Sequence, residues 1–463
     1  MDQHTKALAA YAAGLKFEDL DEAAIEKVKV MTLHTLAASL AAEPIPQTQA
    51  AIGMVRRKGG VPESTVWCGK GLKAPMDEAA FANGTIADIL DWEDCSWIGH
   101  PSAGSIPTGL AVGEALGKTG RDYLTAVVAG LEVYLRIGMA IQPTREYLID
   151  GHGWGLVSWQ IFNSAVTAGR LKGFDTDQMQ QLLGAAYHQT LCTVNKHHAG
   201  GAKSDIYHYV HGFNARNGIN AALWVEAGFF NAKDTLDGPG GLWKQLSDTE
   251  DPEWYEKDLG TRFYITEVLQ KHWPANMWIQ GPLDALAELR AEYGLTMDNI
   301  EKIRVSPILE FLFEDYFAST RGPLDAQFSI PFCLSAYLKD PHPGPHWFSE
   351  ENLNDPQIAA FCRRFEGFGP TVIAQDNFRI YMAGSFPDAT VEVTMTDGRV
   401  VSRTVRFPKG HPKNPYTLAE EQEHFRMATK GFVTPEHQER IIELVSNLEQ
   451  LDSLAELAAL TAN

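Results

Sequence analysis

Between Thr5 and about Glu267 the chain repeats one pattern. Apolar residues recur at three- and four-residue intervals, broken by glycine, proline and polar loops, with no convincing apolar–polar alternation between the breaks. TKALAAYAAG stops at Gly14. LDEAAIEKVKVMTLHTLAASLA spaces Ile25, Val28, Met31, Leu33 and Leu36 as a helix does, and RDYLTAVVAGLEVYLRIGMAI does the same with Leu124, Val127, Val128, Leu131 and Leu135. A further helix is expected from about Thr48 to Arg57, Gly173 closes another, and Asp175 is placed to cap DTDQMQQLLGAAYHQTLC. Helix follows helix, so this part is expected to be an all-helical bundle.

The last third changes character. IEKIRVSP reads as a strand, and ATVEVTMTDGRVVSRTVRF alternates on both sides of Asp397 and Gly398, which predicts a hairpin with a type I′ turn. QGPLDALAELRAEYG is helical between them, and PHPGPHWFSEENLNDP reads as surface loop. Past PKGHPKNP the helical pattern returns and runs to the end. At 463 residues one core rarely suffices. The expected fold is therefore mainly α with a smaller α+β domain. Residues 1–267 with 408–463 form a discontinuous helical domain from both chain ends, and residues 268–407 form an inserted α+β lid domain.

A net charge of −20 argues against general affinity for nucleic acid or an anionic membrane, because both require a basic surface. An anionic small substrate would need a local cationic pocket. Cys68, Cys95, Cys192, Cys333 and Cys362 form no CxxC pair, which fits packed thiols in a reducing compartment and gives no zinc signature. MDQHTKALAAYAAG lacks the basic start and apolar run of a signal peptide, and no apolar stretch approaches ~18 residues. A soluble, cytoplasmic protein is expected. GxGxxG after a strand, GxxxxGK[ST], HExxH and GxSxG are absent, so side chains rather than a bound cofactor or metal are expected to do the chemistry.

The stretch that stands apart is FANGTIADILDWEDCSWIGHPSA, Phe81 to Ala103. Its first half reads as a buried helix. Its second half places Asp91, Glu93 and Asp94 at the helix end, the unfavourable pole of the macrodipole for acids, and leads into a loop carrying Cys95, Ser96 and His100. Pro107 is expected to start the next helix. A single histidine in such a protein is ordinarily a satisfied polar group, and a single lysine is ordinarily solvated. Clustering in loops that interrupt core helices favours function instead: Asp91 and His100, then His152, then Lys196, His197, His198 and Lys203, then Lys271 with His272. His100 precedes Pro101, which holds it in extended backbone and suits a positioned general base. Histidine, lysine and carboxylate together suit removal of a proton next to a carboxylate. Such a step needs a base, cations for the substrate's carboxylates and the developing enediolate, and an acid for the leaving group.

These residues resemble the signature of the MmgE/PrpD family, whose members include 2-methylcitrate dehydratase, cis-aconitate decarboxylase and iminodisuccinate epimerase. The likeness continues, in collinear order, through GRDYLTAVVAGLEVYLRIG, HGFNARNGINAALWVEAGF, KHWPAN, AQFSIPFCLSAYL and DATVEVTMTDGRVVSRTVRFPKGHPKNP. The resemblance implies a cofactor-free, metal-free homodimeric enzyme acting on a small di- or tricarboxylate, with its active site between a large helical domain and a smaller α+β one. By position it assigns catalytic roles to Asp91, His100, His152 and Lys271. Lys203 is the candidate for the family's remaining lysine, whose own position holds Tyr207. Cys95 stands where the decarboxylases carry threonine, and Cys95, Ser96, Ser102 and Tyr207 are the expected substrate contacts. Glu93 and Asp94 are read as shaping the loop. Dehydration is the leading expectation. Epimerisation, decarboxylation and an inactive carboxylate-binding paralogue are the alternatives.

Overall fold

The computed structural model describes residues 3–144, 146–147, 159–190, 205–309, 312–313, 322–372, 380 and 384–463. Contacts divide the chain into two units, Met1–Ile89 with Glu93–Val268 and Tyr416–Asn463, and Leu90–Trp92 with Leu269–Pro415. The described chain is mainly helical with small sheets, as the periodicity predicts.

The first unit contains α1 (His4–Gly14), α2 (Glu22–Ala41), α3 (Pro46–Lys58), α4 (Met76–Asp88), α5 (Ser102–Ala115), α6 (Gly120–Ala140), α7 (Gln160–Leu171), α8 (Thr176–Tyr187) and α9 (Ile206–Glu226). Asp175 caps α8 as predicted, accepting from the Gln178 amide, and Asp21 and Thr119 cap α2 and α6 in the same way. α6 is long and apolar enough to cross a bilayer, but that stretch is wholly buried among neighbouring helices, which makes it a core helix. Two short antiparallel strands, Ser64–Thr65 and Lys73–Ala74, interrupt the helical run that the pattern predicts. Two residues are too few to show a period.

The start of α5 differs from the expectation. The helix begins at Ser102, five residues before Pro107, because the Ser102 amide donates to the Asp94 carboxylate at 2.9 Å and supplies a start. Pro107 then lies inside the helix, at the loss of one i→i−4 hydrogen bond.

The second unit is built on α10 (Gln280–Tyr293), closed by Gly294 in the left-handed region, and α11 (Ile330–Lys339). Its sheet has β1 (Ile300–Ser306), β2 (Phe365–Gly367), β3 (Ala389–Met395) and β4 (Val400–Val405) in the order β2-β1-β3-β4. β1 and β2 are parallel and the other pairs antiparallel, with Val305 opposite Val391 and Val391 opposite Arg403. β3 buries Ala389, Val391, Val393 and Met395 and leaves the residues between half-buried, the period-two pattern of its sequence. The hairpin is present, but its turn is not type I′. Gly398 alone has positive φ (86°), and bonds from Met395 N to Arg399 O and from Gly398 N to Met395 O close a three-residue loop. Asp397 keeps negative φ because its carboxylate accepts from the Arg399 amide two residues on. The proline-rich stretch is also less loop-like than expected. Trp347 and Phe348 are buried, and Trp347 stacks on Trp273 at 6.1 Å.

The chain returns to the first unit with α12 (Leu418–Ala428) and α13 (Pro435–Ser446). Glu421 of α12 joins them to α2, one carboxylate oxygen 2.9 Å from His34 Nδ1 and the other 2.9 Å from His424 Nδ1. Burial works to raise the Glu421 pKa, but the charges and hydrogen bonds of the two histidines outweigh it and hold it at about 2, against an ordinary 4.5. A carboxylate depressed in the fold stabilises fully above its unfolded pKa, and the contribution is lost as pH falls through the folded one. Acid unfolding followed by circular dichroism is therefore expected to steepen between pH 4.5 and about 2. Glu421→Gln should lower stability at pH 7 and flatten that limb. An unchanged limb would remove the clamp from the account.

Candidate functional site

From Ala79 onward every residue of α4 is buried, and the helix ends at Asp88. α9 lies against it at glycine distance: a Cβ built on Gly212 would sit 2.2 Å from the Phe81 carbonyl oxygen. That approach brings one side of α9 to the end of α4. Tyr207, His211 and Asn214 follow at four- and three-residue spacing, so they share a face.

The loop between α4 and α5 is held from several sides. α7 supplies Gln160, whose Nε2 donates to the His100 carbonyl at 2.7 Å, and Asn163, whose Nδ2 donates to the Pro101 carbonyl at 2.7 Å. His34 of α2 bonds the Glu93 carbonyl through Nε2 at 3.0 Å. Ser96 spends its hydroxyl on the loop itself, accepting from the Ile98 amide at 3.3 Å. The Cys95 thiol lies 3.5 Å from the Ser96 carbonyl and is buried, and Ser102 is buried at the start of α5.

At the centre stands His100, 3 % exposed. Its Nδ1 faces two carboxylates, Glu93 through a close hydrogen bond and Asp88 Oδ1 at 3.2 Å. Its Nε2 lies 2.7 Å from the Tyr207 hydroxyl. Asp88 is shared further, with His208 Nδ1 at 2.7 Å from Oδ2 and His211 Nε2 at 3.4 Å from Oδ1. Gln160 Oε1 receives His211 Nδ1 at 2.8 Å and the Asn214 amide at 3.3 Å. Asp88, Glu93, Tyr207, His208 and His211 are all buried. Burial alone would raise the Asp88 carboxyl, but the charges of His211 and His100 and hydrogen bonds from His100 and His208 hold it well below the usual carboxylate range. Asp94 is raised, because burial outweighs its hydrogen bonds from Ser102 and the charges of His34 and Lys27.

The arrangement favours one protonation pattern. A carboxylate pair on the Nδ1 side of His100 calls for a proton there, which leaves Nε2 to accept the Tyr207 O–H. Glu93, His100 and Tyr207 thus form a line along which a proton can move.

Two more candidates lie in the second unit. Lys271 Nζ donates to Asp91 Oδ1 at 2.6 Å, and both residues are fully buried. Asp91 has φ 48°, a conformation uncommon outside glycine but one that aspartate tolerates. The KHWP segment is fastened by α10: Asp284 accepts from the Trp273 indole at 2.7 Å and pairs with His272 at 2.9 Å, and Gln280 bonds both the Trp273 amide and its carbonyl. Burial first, then the Asp91 charge, pushes the Cys333 thiol well above its ordinary range, so it is no thiolate. A small pocket in this unit, lined by Trp278, Pro282, Ser306 and Phe386 among others, is mostly apolar and has no charged residue in its lining.

His152 and Lys203, with Lys196, His197 and His198, lie outside the described residues. The residues that the sequence reading missed are Asp88, His208, His211 and Gln160, and Glu93 was given only a loop-shaping part. The four- and three-residue spacing of Tyr207, His211 and Asn214 was the one available signal.

Comparison with known proteins gives matches over most of the chain. Residues 6–255 match the MmgE/PrpD N-terminal domain and residues 273–450 the MmgE/PrpD C-terminal domain. Curated relatives include cis-aconitate decarboxylase of Homo sapiens, 24% identical over 98% of this chain and 94% of its own length. Cis-aconitate decarboxylase of Aspergillus terreus is likewise 24% identical, over 98% and 95%. That of Mus musculus is 22% identical, over 98% and 93%.

Proposed function

Because this chain belongs to the MmgE/PrpD family, we propose that it is a lyase that transfers a proton at a carbon next to a carboxylate of a small di- or tricarboxylate and eliminates water. The observation that carries the reading is the buried Glu93–His100–Tyr207 line. The Tyr207 phenol takes the substrate proton as its own proton passes to His100 Nε2, and the imidazolium that forms is stabilised by Glu93 and Asp88. Returning the proton to the departing hydroxide restores the start. To the same reaction we assign His152 as a second proton carrier, and Lys203 and Lys271, the latter oriented by Asp91, as cations for substrate carboxylates. The roles of His152, Lys203 and Lys271 rest on the resemblance, and that of Asp91 rests on its bond to Lys271 rather than to a histidine.

Proton NMR in deuterium oxide tests the reading on methylcitrate, citrate, cis-aconitate, tartrate-like acids and iminodisuccinate. Deuterium is expected to enter the carbon next to a carboxylate of at least one of them, with an alkene product accumulating. A panel that stays unexchanged at high enzyme concentration would sink it. Decarboxylation is the second reading, favoured by the names of the relatives, and release of carbon dioxide would select it.

A further inference from the structure

The cluster of His34, Glu421 and His424 that ties α12 to α2 also touches the loop between α4 and α5, and its hydrogen bonds fix a charge there. We propose that His34 is a buried imidazolium and the positioning residue of the Glu93–His100–Tyr207 line, holding the Glu93 peptide through a charged hydrogen bond. The protonation state stands on geometry. The part in the reaction rests on the proton-transfer reading above.

Both ring nitrogens of His34 face acceptors. Nε2 lies 3.0 Å from the Glu93 carbonyl oxygen, which can only accept, so this nitrogen carries a proton. Nδ1 lies 2.9 Å from one oxygen of Glu421, whose second oxygen takes His424 Nδ1 at 2.9 Å. One proton is shared between Glu421 and His34 Nδ1. Burial opposes separating the charges, but the His424 N–H and the Lys27 charge both favour the carboxylate anion, and the outcome is the depressed Glu421 carboxyl described above. The proton therefore stays on His34. His424 stacks on His34 with ring centroids 4.7 Å apart and planes 18° from parallel, so charging both rings is unfavourable, and the Glu93 carbonyl draws the charge to His34.

The surroundings show what this charge does. Glu421, His424 and Tyr416 face it from the α12 side, Tyr416 with its ring centroid 5.9 Å away. From the loop come the Glu93 carbonyl and Asp94, whose carboxyl feels the His34 charge. Lys27, on α2 itself, is the second cation. Burial pulls its ammonium down to about 8, against the charges of Asp94, Glu267 and Glu421. The loop and the end of α4 gather three buried carboxylates, Asp88, Glu93 and Asp94. A charged donor on the Glu93 carbonyl bonds more strongly than a neutral one, so the residue whose carboxylate meets His100 is held in place and its anion is favoured. An anionic Glu93 keeps the proton on His100 Nδ1 and leaves Nε2 to the Tyr207 hydroxyl. A neutral His34 protonated on Nε2 would keep the bond and lose the charge.

Nitrogen-15 NMR of the full chain with labelled histidines needs no substrate. At about pH 8, above the ordinary histidine value, one ring should remain protonated on both nitrogens, and that signal should vanish in His34→Gln. Glutamine keeps a donor for the Glu93 carbonyl, so the loop retains its anchor. In this variant His100 should take up its second proton at a pH higher by about half a unit or more, because a cation near Glu93 has gone. Deuterium exchange on the substrate panel reads the reaction. His34→Gln should slow it about tenfold at every pH. Glu421→Gln should instead move the alkaline fall of the rate down by about one pH unit or more. A protonated positioning group is lost as pH rises through its pKa, and removing an adjoining anion lowers that pKa. The shift must persist in a Lys27→Met background, which excludes the other cation as its source. A cluster that serves only the fold would lower the Glu421→Gln rate by one factor at all pH values, and that result overturns the proposal. So does a His34 that is neutral in the parent at about pH 8, or a folded His34→Gln variant whose His100 titrates as in the parent. Should Glu421→Gln fail to fold, or should no acid in the panel exchange, the two NMR results still decide, and only the second of these removes the proton-transfer reading as well.

Discussion

Replacing His100 with asparagine is expected to slow turnover and substrate deuterium exchange by about 10²- to 10⁴-fold, the range found when a positioned proton carrier is removed. Asparagine keeps a polar side chain in the buried loop but cannot accept the Tyr207 proton at one end while donating to Glu93 at the other. Tyr207→Phe should cost a similar factor, because it deletes the group that meets the substrate and leaves the imidazole in place. The two losses should not add. Residues acting along one proton line fail together, so the double variant is expected to be little slower than either single one. Gln160 and Asn163 hold the backbone carbonyls of His100 and Pro101, so the loop keeps its path when the ring is gone. Circular dichroism should therefore be unchanged at the temperature of the assay. A His100→Asn enzyme within about tenfold of the parent would remove His100 from the proton path.

How much of this was legible beforehand depended on whether a feature was local. Helix periodicity, the Asp175 cap and the alternation of β3 lie within a few residues of sequence, and all three are present. The turn type was misjudged because Asp397–Gly398 fits both a two-residue and a three-residue loop, and the choice falls to the Asp397 side chain. β2, with three residues, is too short to show any period and exists by pairing with β1. At the site, Asp88 was invisible as one polar residue closing a buried helix. It meets His208 and His211, 120 and 123 positions away, because Gly212 allows α9 to approach α4 at backbone distance. Glu93 was read as loop-shaping because charge at a helix end says nothing of direction. The path of the loop, set by Gln160, Asn163 and His34, turns it onto His100.

Lys271→Met is expected to destabilise the second unit by about 3–5 kcal/mol, the cost of leaving one member of a buried ion pair without its partner. Lys271 Nζ and Asp91 Oδ1 are 2.6 Å apart, and neither side chain has more than 1% of its surface exposed, so solvent cannot take over the lysine's part. The aspartate is also fixed in direction. Its φ of 48° and the bond from the neighbouring Trp92 indole to the His272 carbonyl hold it facing the lysine, so it cannot swing out to water. The remedy within the fold is to remove the second charge. Asp91→Asn combined with Lys271→Met should recover part of the loss, because two neutral groups of similar volume need far less solvation than a lone carboxylate. The same pair of variants separates structure from chemistry. At a temperature where both remain folded, the double variant should be the more stable of the two and still slow, if the lysine also serves the substrate. Thermal unfolding followed by near-ultraviolet dichroism reports the second unit through Trp273, Trp278 and Trp347, all buried there. A Lys271→Met protein that melts with the parent would mean that the pair is solvated, and the buried ion pair would have to be withdrawn.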